Sequence, residues 1–100
     1  MKDDYIFIVE DDDTGECHAF KYKPNAIKFM LDKCKEWGVV LYIAVKDYKA
    51  NHWYQYISLN KVYDTYDKQL EYILNCSVAE INDIFDSYWY YQECLIEDAD

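Results

Sequence analysis

An α+β fold is what this sequence predicts: a four-stranded, mostly antiparallel sheet with helices packed on one face, in the order β-β-α-β-β-α-α. Three observations carry the expectation. Short β-branched and aromatic runs recur between residues 5 and 59. Apolar residues at spacings of three and four dominate the remainder. The single Pro and both Gly fall at boundaries between these segments. With 100 residues, 52% of them hydrophobic, the chain makes a single domain, 1–100, that buries roughly two-thirds of its unfolded surface.

Each element follows from local chemistry. Tyr5 to Val9 is β-branched and aromatic and predicts a strand. Glu10 to Gly15 predicts a turn, because Asp closes Asx-turns and Gly tolerates positive φ. Glu16 to Tyr22 returns as the second strand of a hairpin. Pro24, suited to a first helical turn, and Gly38, suited to a helix end, bracket a helix to Trp37. Ile27, Met30, Leu31 and Cys34 form its core stripe. Val39 to Val45 is a continuous apolar run, expected as a buried central strand. After a polar turn over Lys46 to Asn51, His52 to Leu59 predicts a fourth strand, with Trp53, Ile57 and Leu59 on one face and Tyr54 and Tyr56 on the other. Asp64 is expected to cap the next helix, whose stripe is Tyr66, Leu70, Ile73 and Leu74. Ser77 and Glu80 have capping-box spacing and open the last helix.

Charge excludes several functions. The net charge is −10, and all ten basic residues are lysine, so bidentate guanidinium contacts to phosphate or guanine are impossible and direct nucleic-acid binding is not expected. Residues 1–50 carry eight Lys against ten Asp/Glu; residues 51–100 carry two Lys against ten, and none follows Lys68. No signal-like or membrane-spanning run is present, so a cytoplasmic location is expected, in a host cell's cytoplasm if the gene is phage-borne, with no membrane partner.

Chemical motifs are sparse. Cys17, Cys34, Cys76 and Cys94 never approach zinc-ribbon spacing, and buried reduced thiols are the simpler reading than a site built with His18 and His52. Cys17 and His18 are neighbours on a strand and point to opposite faces. The Asp11-Asp12-Asp13-Thr14-Gly15 loop fits neither an aspartyl-phosphatase signature nor a calcium loop, which needs a Glu where Lys21 stands. It reads as an acidic turn. No enzyme activity, metal or cofactor is expected. Twelve tyrosines exceed what a core needs: Tyr42 and Tyr66 are expected in the core, while Tyr48, Tyr54, Tyr56, Tyr90 and Tyr91 suit an interface. An AT-rich genome accounts for part of that excess.

The last helix supplies the functional expectation. At 100° per residue, Val78, Ile81, Ile84, Phe85, Tyr88, Trp89, Leu95 and Ile96 share an arc about 140° wide, and Asp83, Asp86, Tyr90, Glu93 and Glu97 share an opposite arc of about 80°. From Glu80 to Glu97 this acidic stripe runs about 26 Å. Asp64, Asp67 and Glu71 repeat the spacing on the preceding helix. No lysine interrupts the last stripe, although i,i+4 pairs would stabilise it by ~0.3–0.5 kcal/mol each. Such a row of carboxylates matches the charge spacing of one nucleic-acid strand, ~3.4 Å per phosphate. The expected partner is therefore a basic nucleic-acid-binding protein; a solubility surface is the plainer alternative, and a homodimer is compatible with the sequence.

In size, charge and carboxylate-lined helices the chain resembles the small acidic DNA-mimic inhibitors that phages and mobile elements direct against restriction or CRISPR nucleases. Leu41 to Val45, Asp47-Tyr48-Lys49-Ala50-Asn51, Trp53 to Leu59 and the helix from Asp64 are also similar in order to a repeat of the ArdA antirestriction family, although Ala50 and Asn51 replace its turn glycines. The resemblance implies a non-enzymatic inhibitor of a host nuclease or CRISPR effector subunit. An immunity-type protein that blocks a toxin nuclease is the rival reading.

Overall fold

A computed structural model describes residues 4–47 and 53–96. In chain order it contains β1 (Asp4–Asp11), β2 (Cys17–Phe20), α1 (Lys23–Glu36), β3 (Tyr42–Asp47), β4 (Trp53–Ser58), α2 (Leu59–Val62), α3 (Tyr66–Leu74), α4 (Val78–Ile84) and β5 (Trp89–Ile96). The α+β class holds. The single four-stranded sheet does not: β2, β1 and β5 form one antiparallel sheet with β1 in the centre, and β3 and β4 pair only with each other.

The N-terminal hairpin forms because its turn satisfies itself. The Asp11 carboxylate accepts from the Asp13 and Thr14 amides at 2.8 and 3.2 Å, and Gly15 takes φ 75°. Helix α1 ends in a Schellman motif. Gly38, at φ 72°, donates to the Lys35 carbonyl at 3.1 Å, and Val39 donates to Cys34 at 2.9 Å. The predicted stripe of Ile27, Met30, Leu31 and Cys34 is buried against Val9, Phe85, Trp89 and Tyr91. Cys17 and His18 do occupy opposite faces of the sheet, with His18 on the α1 side against the Phe29 ring at 4.7 Å.

The segment expected as a central strand is instead half of a hairpin. Val40, Leu41, Tyr42 and Ile43 are 47%, 6%, 51% and 2% exposed, an alternation that belongs to a sheet with one wet face. Tyr42 is therefore a surface residue, contrary to expectation, whereas Tyr66 packs at the core's edge. The expected turn over Lys46 to Asn51 lies mostly outside the described residues, as do Tyr48 and His52. The hairpin left out of the main sheet accords with an elongated shape of 55 × 30 × 24 Å.

Two corrections concern the helices. Thr65, not Asp64, caps α3, its hydroxyl accepting from the Lys68 amide at 3.3 Å. The predicted capping box at Ser77 and Glu80 is present, but the helix it opens stops at Ile84. Ser87 then turns the chain at φ 72°, and the remainder is strand β5, paired along its whole length with β1 from Asp4↔Ile96 to Asp11↔Trp89. The long acidic helix does not exist. Trp89 and Tyr91 are buried because they alternate on the α1 side of a sheet, not because they share a helical arc.

No helix among the described residues is long and apolar enough to cross a membrane. The thiols differ sharply in access: Cys17 is exposed, Cys94 partly so, and Cys34 and Cys76 are buried. Burial pushes the Cys34 thiol up to about 11, against a smaller opposing effect from Trp89, and raises that of Cys76. Ellman's reagent at neutral pH is expected to label Cys17 first and to reach Cys34 and Cys76 only in denaturant. Labelling of Cys34 at the rate of Cys17 in the folded protein would contradict this packing.

Candidate partner-binding surface

The turn after α4 meets the turn of the N-terminal hairpin. Phe85 closes α4 by donating to the Ile81 carbonyl at 3.1 Å, and its own carbonyl accepts from the Tyr88 and Trp89 amides at 3.0 and 2.9 Å. These bonds fold Asp86 and Ser87 outward. The Asp12 amide then donates to the Tyr88 carbonyl at 3.1 Å, tying the two turns together. Because Asp11 spends its carboxylate inside its own turn, Asp12 and Asp13 present theirs to solvent.

Two hollows adjoin along this seam and share Ser87 and Tyr88. One, of about 370 Å³, lies among Asp11, Asp12, Asp13 and Trp37. The other, of about 240 Å³, lies at the foot of the β3–β4 hairpin among Tyr42, Tyr56, Asp83 and Asp86. No basic residue lines either hollow, and among the described residues no lysine pairs with Asp12, Asp13, Asp83 or Asp86. Trp37 is held flat against Trp89, with ring centres 5.5 Å apart and planes 12° from parallel. Half of its surface is exposed. A rigid indole beside carboxylates attracts a cation through both its quadrupole and the neighbouring charge.

The other sequence-predicted residues scatter. Asp64 pairs with Lys68 at 3.1 Å, and that hydrogen bond and charge hold its carboxyl below the usual range. Asp67 and Glu71 are exposed on α3, where Lys68 interrupts the acids. Glu80 is occupied by its capping box; the Ser77 amide and hydroxyl lower its carboxyl. Tyr90 is half exposed on the sheet face away from α1. Glu93 is part-buried on the opposite face, where it accepts from the Tyr91 hydroxyl at 2.7 Å and pairs with Lys23 at 3.4 Å. Tyr91 is wholly buried, so it is a core residue and not an interface anchor. Glu97 lies outside the described residues.

Of the expected acidic residues, only Asp83 and Asp86 share this seam. Asp12, Asp13 and Tyr88 join them by way of the β1–β5 pairing, Trp37 by its stacking on Trp89, and Tyr42 and Tyr56 from the β3–β4 hairpin. No family, curated protein or solved structure matches this chain.

Proposed function

We propose that the protein is a non-enzymatic inhibitor that docks on the nucleic-acid-binding surface of a host defence protein, a restriction enzyme or a CRISPR effector subunit. The observation that supports this reading is the seam of two adjoining hollows, carrying five aspartates and four exposed or part-exposed aromatic rings with no lysine among them. Lys or Arg side chains that normally grip phosphate would meet Asp12 and Asp13 on one side of Tyr88 and Asp83 and Asp86 on the other. The aromatic rings would supply rigid contact area at small entropic cost. Mimicry here is of local charge and shape at two adjoining hollows, not of a regular phosphate row along a helix.

The test is inhibition of DNA cleavage across a panel of purified restriction enzymes and CRISPR effectors. Wild-type protein is expected to inhibit at least one, less so as salt is added. A D12K/D13K/D83K/D86K variant is expected to lose about 100-fold or more in potency, at ~1 kcal/mol or somewhat less per reversed charge. The control D64K/D67K/E71K, reversing charge on α3, is expected to stay near wild type. No inhibition across the panel, or equal loss in both folded variants, would reject this surface.

A further inference from the structure

We infer that the second half of β5 is the seat of a symmetric dimer, in which β5 pairs antiparallel with β5 of a second copy. The inference is independent of the acidic seam.

Backbone parity defines the free edge. Asp11 exchanges hydrogen bonds across the hairpin turn, its amide donating to Glu16 and its carbonyl accepting from Gly15, so odd-numbered residues of β1 face β2 and even-numbered ones face β5. On β5, Tyr90, Gln92 and Cys94 therefore spend their backbone groups on β1, opposite Glu10, Ile8 and Ile6. Trp89, Tyr91, Glu93 and Leu95 point theirs outward. The first two are engaged: the Trp89 amide donates to the Phe85 carbonyl, and the Asn82 side chain accepts from the Tyr91 amide at 2.7 Å and donates to its carbonyl at 2.9 Å. Asn82 thus fills the place of a neighbouring strand. Among the described residues the outward groups of Glu93 and Leu95 have no protein partner. Leu95, Ile96 and Tyr5 at this end are nearly half exposed. An open, apolar edge is a template for another strand.

Charge selects a second copy and its register. A chain of net charge −10 self-associates only where its own charge is neutralised; on the edge strand itself the single carboxylate among the described residues, Glu93, is already paired with Lys23, and Asp4 lies one strand in, opposite Ile96. The Asn82 cap at Tyr91 limits pairing to residues 92–96 in each copy. Centring the two-fold axis on residue 93 sets Glu93 against Glu93. Centring it on residue 95 pairs only residues 94–96 of each copy and closes two backbone hydrogen bonds. Centring it on Cys94 sets Glu93 against Leu95 and closes four backbone hydrogen bonds, with no like charges opposite one another. This last register also places the two Cys94 residues in a non-hydrogen-bonded pair, with Cα atoms about 4.5 Å apart, inside the roughly 4.4–6.8 Å span of a disulfide.

Light scattering coupled to gel filtration is expected to give twice the 12.1 kDa chain mass, with the dimer strengthening as salt is added, opposite in sign to binding at the acidic seam. Leu95→Pro removes one outward N–H per copy and no bond to β1, and is expected to weaken the dimer about 30-fold with unchanged circular dichroism. Cross-linking does not depend on that variant folding. Diamide, which takes up the two thiol hydrogens, is expected to join the Cys17→Ser protein through Cys94, while Cys94→Ser, with Cys17 still exposed, stays uncrosslinked. A monomer in high salt, or a dimer that cross-links only through Cys17, overturns the proposal; the monomer would leave this edge to a strand of another protein.

Discussion

Tyr91→Ala is expected to lower stability by about 4 kcal/mol, the usual cost of emptying a buried aromatic site. A chain of this size holds only about 5–15 kcal/mol in total. The loss has two sources in the structure. The ring is fully buried beside Val9 and Phe85, and its hydroxyl donates to Glu93. In urea the midpoint is expected to fall by roughly 2 M. Tyr91→Phe, which deletes only the hydroxyl, is expected to cost about 1–2 kcal/mol, since Lys23 still serves the Glu93 carboxylate. A surface tyrosine on a polar helix side would cost within about 0.5 kcal/mol on substitution. The experiment thus separates the strand from the helix that periodicity suggests.

Alkaline unfolding between pH 10 and 12 is the second expected result. Burial, and then Asp32, pushes the Tyr66 hydroxyl up to about 12; burial, and then Cys76, does the same for Tyr72. Burial, and then Glu93, raises Tyr91 further still. All three rise above the unfolded value near 10, so their contribution is fully present below pH 10 and is lost as pH climbs through the folded values. For the fully buried Tyr91 the loss is about 1.4 kcal/mol per pH unit; it is smaller for the other two, which water partly screens. Phenolate absorbance from Tyr66, Tyr72 and Tyr91 should therefore appear in a cooperative step that coincides with loss of far-ultraviolet dichroism. Titration of all twelve tyrosines near pH 10 with the dichroism intact would contradict the assigned burial.

The N-terminal hairpin, α1 and the start of α4 are legible because their boundaries are marked by special residues. Asp11 and Gly15 shape the first turn, Pro24 and Gly38 bracket α1, and the Ser77–Glu80 box is visible as spacing alone. The junction that mattered most carries no such mark. Ser87 adopts a left-handed conformation without being Gly or Asn, so nothing announced that α4 ends there. A helical wheel then absorbed the aromatic run of Trp89 to Tyr91, which strand geometry also accommodates. The contrary signal lay in the carboxylates. Several like-charge clashes at i,i+3 and i,i+4, with no lysine to relieve them, weigh against the helix, because natural sequences seldom set local and global preferences in conflict. Helical periodicity also conceals the candidate surface. Asp12 and Asp86 become neighbours only once β5 lies beside β1.

That pairing also sets when the main sheet closes. The central strand of the main sheet is synthesised about eighty residues before its second neighbour. At about 5–20 residues per second, β1 waits roughly 4–16 s with one edge open and its apolar face half covered. Helix α1 can dock in that interval, but the core lacks Trp89 and Tyr91 until the last strand arrives. A nascent chain stalled before residue 89 is a natural client for chaperones and proteases, and a premature stop there yields no working fragment.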